Sequence, residues 1–97
     1  MENVKRIEII TDALEMSNVC AKLDAVGVSG YSVIKDVVGK GDRGSQLGDE
    51  LTDVFKNSYL LTTCDAAGLE ALVKAIRPIL KRHGGICLVS DAQWVEH

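Results

Sequence analysis

The chain from residue 30 to residue 64 reads GYSVIKDVVGKGDRGSQLGDELTDVFKNSYLLTTC. Its two ends, residues 30–38 and 54–64, are rich in β-branched and aromatic residues and predict two strands. The segment between them is polar and contains Gly39, Gly41, Gly44 and Gly48. Ordinary hairpins close with about two to five residues, so this loop is far longer than a hairpin needs. The question is why a chain of 97 residues keeps such a loop.

The residues before this stretch predict a strand and a helix. Residues 4–11 alternate and are rich in β-branched side chains, which is typical of a strand. A candidate helix N-cap follows at Thr11-Asp12, and Gly27 is placed to end the helix. Apolar residues recur between them at roughly helical spacing, namely Leu14, Val19, Leu23 and Val26.

A second helix and a fourth strand follow residue 64. Asp65 is a candidate N-cap, and Gly84-Gly85 are placed to end the helix. A single apolar stripe marks its buried face, formed by Leu69, Leu72, Val73, Ile76, Ile79 and Leu80. Residues 86–90 predict the fourth strand, and residues 91–97 a further short edge strand. The order β-α-β-β-α-β predicts an α+β, ferredoxin-like sandwich with residues 1–97 as a single domain.

Composition and charge limit the classes of function. The net charge of −3 argues against a nucleic-acid binder, which needs cations in excess to neutralise phosphates. No apolar run approaches the roughly 18 residues of a membrane span, and the first residues do not resemble a signal peptide, so a cytoplasmic location is expected. The cysteines Cys20, Cys64 and Cys87 fit no metal spacing and predict free, buried thiols.

The predicted sheet has apolar side chains on both faces. The second and fourth strands look apolar on both sides, whereas the two helices cover only one face of the sheet. An apolar face that the chain does not cover itself predicts association with other copies. A compact oligomer is therefore expected.

Two glycine-containing segments are the candidate binding elements. They are Gly39-Lys40-Gly41-Asp42-Arg43 and Lys81-Arg82-His83-Gly84-Gly85. Glycine lets backbone N–H groups approach an anion closely, and an arginine adds a planar fork for phosphate or carboxylate oxygens. Two such segments converging across an oligomer interface would form a phosphate clamp. From spacing alone, glycines that serve only as turn residues are the simpler explanation, and both interpretations stay open.

No motif indicates catalysis. His83 has no nucleophile or acid at a spacing that suggests a triad. The acidic residues Asp49, Glu50 and Asp53 fit a solvated face better than a metal site. A non-enzymatic protein without a resident cofactor or metal is therefore expected.

Three short motifs resemble PII signalling proteins, and most closely the carboxysome-associated and bicarbonate-transporter-associated PII-like types. The motifs are Gly30-Tyr31-Ser32-Val33, the segment from Gly39 to Arg43, and HGGICLV at residues 83–89. The resemblance covers essentially the whole chain in element order and loop length. It implies a homotrimer in which residues 40–53 form the T-loop, which contacts a target protein, and Gly84-Gly85 lie in the B-loop.

The resemblance also implies an adenine-nucleotide site in the cleft between neighbouring subunits. Matched position by position, its residues are Ile10, Ser32, Gly39, Lys40, Gly41, Arg43, Thr62, Gly84 and Gly85. Ser32 matches a hydroxyl residue that contacts adenine, and Ile10 an apolar wall. The carbon-associated types imply bicarbonate as a further ligand near Lys40, Gly41 and Arg43.

Some positions depart from the nitrogen-regulatory pattern. Asp42-Arg43 stands where Arg-Gln is usual, Gly85 stands at the position of a B-loop lysine, and the sequence reaches His97 before the C-terminal arginines of that pattern. The predicted T-loop also lacks a tyrosine for uridylylation. Fewer cations imply a preference for ADP or AMP over ATP, and they put 2-oxoglutarate sensing in doubt.

The predicted function is a non-enzymatic sensor of adenine nucleotides and bicarbonate. It signals through the T-loop to an unidentified partner in inorganic-carbon uptake or fixation, such as a bicarbonate transporter or a carboxysome component. The alternatives are a general nitrogen or energy regulator of the PII type, a slow nucleotide hydrolase, and a metal-binding trimer of the divalent-cation-tolerance kind.

Overall fold

The structure is a computed structural model that describes residues 1–39 and 56–97. Within these residues the elements are β1 (Glu2–Asp12), α1 (Met16–Ala25), β2 (Tyr31–Val37), β3 (Asn57–Cys64), α2 (Leu69–His83) and β4 (Ile86–Trp94). Short 3-10 turns, Ala13–Glu15 and Ala66–Gly68, precede the two helices. The ferredoxin-like β-α-β-β-α-β order predicted from the sequence is confirmed.

The four described strands form one antiparallel sheet in the order β2-β3-β1-β4. β1 lies in the centre, with Ile9 opposite Leu60 of β3 and Cys87 of β4. Side chains alternate between faces along a strand, so Ile7 and Ile9 point to the helices, while Ile10 lies on the opposite side. We call that opposite side, which the helices leave uncovered, the open face.

The core lies between the sheet and the two helices. Its buried residues are Ile7, Ile9, Leu60, Met16, Val19, Leu23, Leu72 and Ile76. They recur three and four residues apart in α1 and four residues apart in α2, so one stripe of each helix faces the sheet. The predicted stripe of α2 is confirmed, with Leu72 and Ile76 buried and its other members half-buried.

The first helix begins later than the sequence predicts. Asp12 caps the 3-10 turn Ala13–Glu15 by accepting a hydrogen bond from the N–H of Leu14, and α1 starts only at Met16. Leu14, expected in the apolar stripe, is 83% exposed. The expectation was wrong because the tighter turn directs Leu14 away from the core, and Met16 takes the buried position instead. Gly27, at φ 85°, follows the helix as predicted.

The tail does not form a separate strand. Residues 91–94 continue β4 and pair with the beginning of β1, where Asp91 lies opposite Lys5 and Trp94 opposite Glu2. The predicted break after Ser90 was wrong, because the pairing with β1 and the Lys5–Asp91 ion pair, 2.5 Å between Nζ and Oδ1, extend the ladder. β1 is correspondingly longer than the predicted residues 4–11.

The two strands beside the long loop are also shorter than predicted. β2 covers 31–37 and not 30–38, and β3 begins at Asn57, while residues 54 and 55 lie outside the described residues. The cysteines are free, as predicted, but each is half-buried and not buried. They are packed against the margin of the core.

Candidate functional site

Each of the four described strands begins or ends at the same end of the sheet, which is the end where the two glycine segments attach. β1 ends there at Asp12 and β2 at Val37, and β3 begins there at Asn57 and β4 at Ile86. Asn57 pairs with both Asp12 and Val37, which places these ends side by side. The loop base after β2 and the turn before β4 therefore share this end of the sheet.

The turn between α2 and β4 is tied to both its neighbours through Gly84. The buried Gly84 has φ 82° and donates its N–H to the carbonyl of Leu80 at 2.7 Å, which closes the end of α2. Its carbonyl accepts a hydrogen bond from Oγ1 of Thr11, at 2.8 Å, near the end of β1. Because Thr11 is only 1% exposed, this contact anchors the turn in the interior.

Gly85 lies in close contact with the backbone of β1. A Cβ at this position would lie 2.3 Å from the carbonyl oxygen of Ile10, and φ is 119°, where side chains are rarely found. Geometry therefore requires glycine here, whatever the turn binds. Ile10, predicted as an apolar wall of the nucleotide site, pairs directly with Ile86, so it lies beside the glycine turn.

Three consecutive cationic or titratable side chains end α2. Lys81, Arg82 and His83 are exposed in the last turn of the helix, where the dipole favours positive charge. Nε2 of His83 lies 3.3 Å from Oε1 of Glu15, which ties the end of α2 to the 3-10 turn after β1. All three residues lie directly before the glycine turn.

The base of the long loop has its own backbone irregularity. The β2–β3 ladder shifts register between Ile34 and Val37, and Asp36 has φ 61°, in the left-handed region. Oδ1 of Asp36 lies 3.9 Å from Nζ of Lys56 across the two strands. Gly39 is exposed just beyond this bulge, and no atom lies within 4 Å of a Cβ built on it.

Several predicted site residues lie outside the described residues. They are Lys40, Gly41 and Arg43 of the loop base, with the acidic residues Asp49, Glu50 and Asp53 and the rest of the predicted T-loop, 40–53. Their predicted roles in phosphate, bicarbonate and partner binding stay predictions.

Ser32 and Thr62 lie in different environments. Ser32 is exposed on the open face and pairs with Leu61 of β3. Its strand, β2, is two strand spacings from β1, so Ser32 and Ile10 are separated by roughly 10 Å across the sheet. Thr62 points toward the helices, is 3% exposed, and donates its hydroxyl to the carbonyl of Gly30 at 2.6 Å. The structure thus brings Ile10, Gly84 and Gly85 together within one chain, and leaves Ser32 and Thr62 apart from them.

The strands that adjoin the two glycine segments, β2 and β4, lie on opposite edges of the sheet. β2 and β4 are the edge strands, separated by three strand spacings, or about 14 Å. Within one chain, the loop base at Gly39 and the turn at Gly84-Gly85 therefore do not form one compact cleft.

The open face combines exposed apolar side chains with a central polar group. Its exposed apolar residues are Ile34, Leu61, Ile86, Leu88 and Trp94. Leu88, for example, is 55% exposed although it lies in the middle of a strand. The helices leave these apolar side chains exposed, as predicted from the apolar second and fourth strands.

The polar group on this face is centred on Glu8. Its Oε2 accepts a hydrogen bond from the hydroxyl of Tyr59 at 2.7 Å, and its Oε1 lies 3.5 Å from Nε of Arg6. Arg6 Nε also donates to Oγ of Ser90 at 3.1 Å. The hydrogen bond to Glu8, followed by partial burial, raises the pKa of Tyr59 above its ordinary value.

Sequence reasoning missed the contact of Thr11 with Gly84 and the bulge at Asp36. The sequence marks Thr11 only as a candidate helix cap, and its position beneath the glycine turn depends on the pairing of β1 with β4. The sequence does contain a signal for the bulge. Aspartate is among the few residues that tolerate left-handed φ, and Asp36 interrupts a β-branched run just before the loop.

In the described ranges 1–39 and 56–97, no three histidine, cysteine or acidic side chains are grouped as a metal site would need. No helix in the same ranges is long and apolar enough to cross a membrane.

Comparison with known proteins places this geometry in a family. The sequence model of the family "Nitrogen regulatory protein P-II" matches residues 4–97. No curated protein sequence matches the chain. The structure resembles that of CPII from Thiomonas intermedia K12 bound to ADP, AMP and acetate, with a TM-score of 0.82 and 21% identity over 98% of this chain and 91% of that one.

Two further solved structures extend the comparison. CPII from the same organism, bound to ADP and bicarbonate, is 25% identical, with a TM-score of 0.80 over 95% of this chain and 88% of that one. The B. subtilis GlnK–ATP complex is 14% identical, with a TM-score of 0.69 over 95% of this chain and 84% of that one. Since the family model covers nearly the whole chain, the protein belongs to the nitrogen regulatory protein P-II family.

Proposed function

We propose that this protein is a non-enzymatic PII-like sensor that binds adenine nucleotides, with ADP or AMP preferred, in clefts between the copies of a homotrimer. Bicarbonate is its second ligand, and residues 40–53 carry the signal to a partner in inorganic-carbon uptake or fixation. Proteins of the PII family are generally regulatory, trimeric and bound to adenine nucleotides, which supports the general part of this function.

The observation that most strongly supports this function is that the glycine turn lies beside Ile10. Gly85 is in contact with the Ile10 carbonyl, so an apolar side chain and a backbone turn suited to an anion lie next to each other. An adenine nucleotide has the same two parts, an apolar base and a charged phosphate group. Lys81 and Arg82, exposed beside the turn, add positive charge for that group.

The placement of Gly39 and of the Gly84-Gly85 turn supports a site shared between copies. Because β2 and β4 lie on opposite edges of the sheet, the loop base of one copy meets the glycine turn only if a second copy supplies it. The exposed apolar open face provides the surface by which copies associate. Ser32 and Gly39 of one copy would then complete the cleft formed by Ile10, Gly84 and Gly85 of another.

The ligand assignment is supported by the solved structures of CPII. One is bound to ADP, AMP and acetate, and another to ADP and bicarbonate. Lys40, Gly41 and Arg43 of the loop base are the residues proposed to hold bicarbonate. Ligand then shifts the population of residues 40–53 toward the arrangement that it binds best. Asp49, Glu50 and Asp53 select a partner with a basic surface.

Calorimetric titration with AMP, ADP and ATP, each with and without bicarbonate, tests this function. We expect ADP and AMP to bind more tightly than ATP, and bicarbonate to change the ADP affinity. Arg43→Ala should weaken ADP binding about tenfold or more, because a charge-assisted contact to phosphate is lost. Arg77→Ala is the matched control, since Arg77 is an exposed arginine in α2 outside the proposed site.

The other outcomes separate the alternatives. Tight ATP binding without a bicarbonate effect would indicate a general nitrogen or energy regulator, as the similarity to the GlnK–ATP complex allows. Phosphate release from ATP in a turnover assay would indicate a hydrolase. Absence of any nucleotide binding would contradict the sensor and leave the glycines as turn residues only.

A further inference from the structure

Thr11 has a contact that its position in a strand does not require. It lies near the end of β1, is 1% exposed, and donates its hydroxyl to the carbonyl of Gly84 at 2.8 Å. The two residues are 73 positions apart in the chain. A valine would fill the same space in the strand, so the hydroxyl is needed only for the contact with the turn.

This contact determines how the peptide between Gly84 and Gly85 is oriented. The described chain contains no cis peptide bond, so the C=O of Gly84 and the N–H of Gly85 point to opposite sides of the same planar group. Thr11 holds the carbonyl toward the interior. The N–H of Gly85, an exposed residue, therefore points away from Thr11 and toward the outside.

We propose that Thr11 is a positioning residue, which fixes the Gly84–Gly85 peptide so that the Gly85 N–H donates to a phosphate oxygen of the bound nucleotide. The inference rests on the proposed function, because it names the group that positions the phosphate part of that site. Thr11 itself is buried and does not touch the ligand.

Removal of the Thr11 hydroxyl favours inversion of the Gly84–Gly85 peptide. Its carbonyl would be buried without a donor, which is costly, and inversion would return that oxygen to water. Glycine on both sides of the peptide permits the change, since glycine adopts positive and negative φ with similar ease. After inversion a carbonyl oxygen, and not an N–H, faces the phosphate and repels it.

The binding test compares ADP with adenosine, which has the same base and ribose but no phosphate. We expect Thr11→Val to weaken ADP binding about tenfold and to leave adenosine binding within about twofold of the wild type. Thr11→Ser keeps the hydroxyl and should restore ADP affinity. Equal ADP affinity in Thr11→Val and wild type, or equal losses for ADP and adenosine, would overturn the role of Thr11.

A structural test does not depend on nucleotide binding. The crystal structure of ligand-free Thr11→Val should show the Gly84 carbonyl turned outward, and that of Thr11→Ser should show it pointing to residue 11. A carbonyl that still points inward in Thr11→Val would overturn the inference. If the wild type binds no ADP while Thr11→Val inverts the peptide, the proposed function fails and the positioning of the turn by Thr11 stands.

Discussion

Gly85 shows at the scale of one residue how the fold constrains the site. A Cβ there would lie 2.3 Å from the carbonyl oxygen of Ile10, and φ is 119°. We expect Gly85→Ala to lower the free energy of unfolding by at least about 2 kcal/mol, from backbone strain plus the contact with β1. The measurement is urea unfolding followed by circular dichroism.

Gly30→Ala is the matched control for Gly85→Ala. No atom lies within 4 Å of a Cβ at Gly30, so its replacement should change the unfolding free energy by no more than about 0.5 kcal/mol. A Gly85→Ala variant as stable as Gly30→Ala would show that the turn does not contact β1 as described.

The Tyr59–Glu8 pair predicts a pH dependence. The hydrogen bond to Glu8 raises the pKa of Tyr59, because an ionised tyrosine would lose this donor and face a carboxylate. The stabilisation of the folded state by this hydrogen bond is therefore complete below the ordinary tyrosine pKa of about 10. It is lost as the pH rises through the raised pKa of Tyr59.

Ultraviolet titration of tyrosinate in a Tyr31→Phe background isolates Tyr59. We expect the titration midpoint of Tyr59 in the folded protein to lie above that in the unfolded chain. Adding Glu8→Gln should lower the midpoint of the folded protein. An unchanged midpoint in the double variant would show that Glu8 is not the cause of the shift.

At the scale of the elements, β2 contains a bulge that depends on Asp36. Its φ of 61° is tolerated by glycine, asparagine and aspartate, but is strained for a β-branched residue. We expect Asp36→Val to lower the free energy of unfolding by about 1–2 kcal/mol, as measured by urea unfolding.

Asp36→Asn tests whether the charge or the backbone matters. The exposed contact with Lys56, at 3.9 Å, is of the kind that contributes little, so Asp36→Asn should stay within about 0.5 kcal/mol of the wild type. Equal destabilisation by asparagine and valine would assign the effect to the ion pair and not to the bulge.

Element types were predictable from the sequence, but some element ends were not. The apolar stripe that includes Leu72 and Ile76 lies within one helix, so local spacing was sufficient to predict α2. Leu14 and Met16 are both apolar and lie between β1 and the first turn of α1, and only the 3-10 turn decides which one is buried. The extent of β4 depends on its pairing with β1, a contact between the two ends of the chain.

At the scale of the whole molecule, the open face determines the proposed assembly. Leu88 is 55% exposed in the middle of β4, and we expect Leu88→Asp to dissociate the proposed trimer, because a charge would be buried at the interface. Sedimentation equilibrium measures the mass. Leu14→Asp, at an 83% exposed site away from the open face, is the control and should leave the mass unchanged. A monomeric wild type would contradict the shared cleft.

The sequence by itself determined the order of the elements, the apolar stripes and the two glycine segments, because each depends on residues close together in the chain. Only the tertiary structure decided that Thr11 lies beneath Gly84, that Gly85 contacts Ile10, and that Thr62 faces the helices. These relations depend on the register of strands distant in sequence. A shift of one residue would exchange the two faces of a strand, and local patterns do not encode which long-range pair is formed.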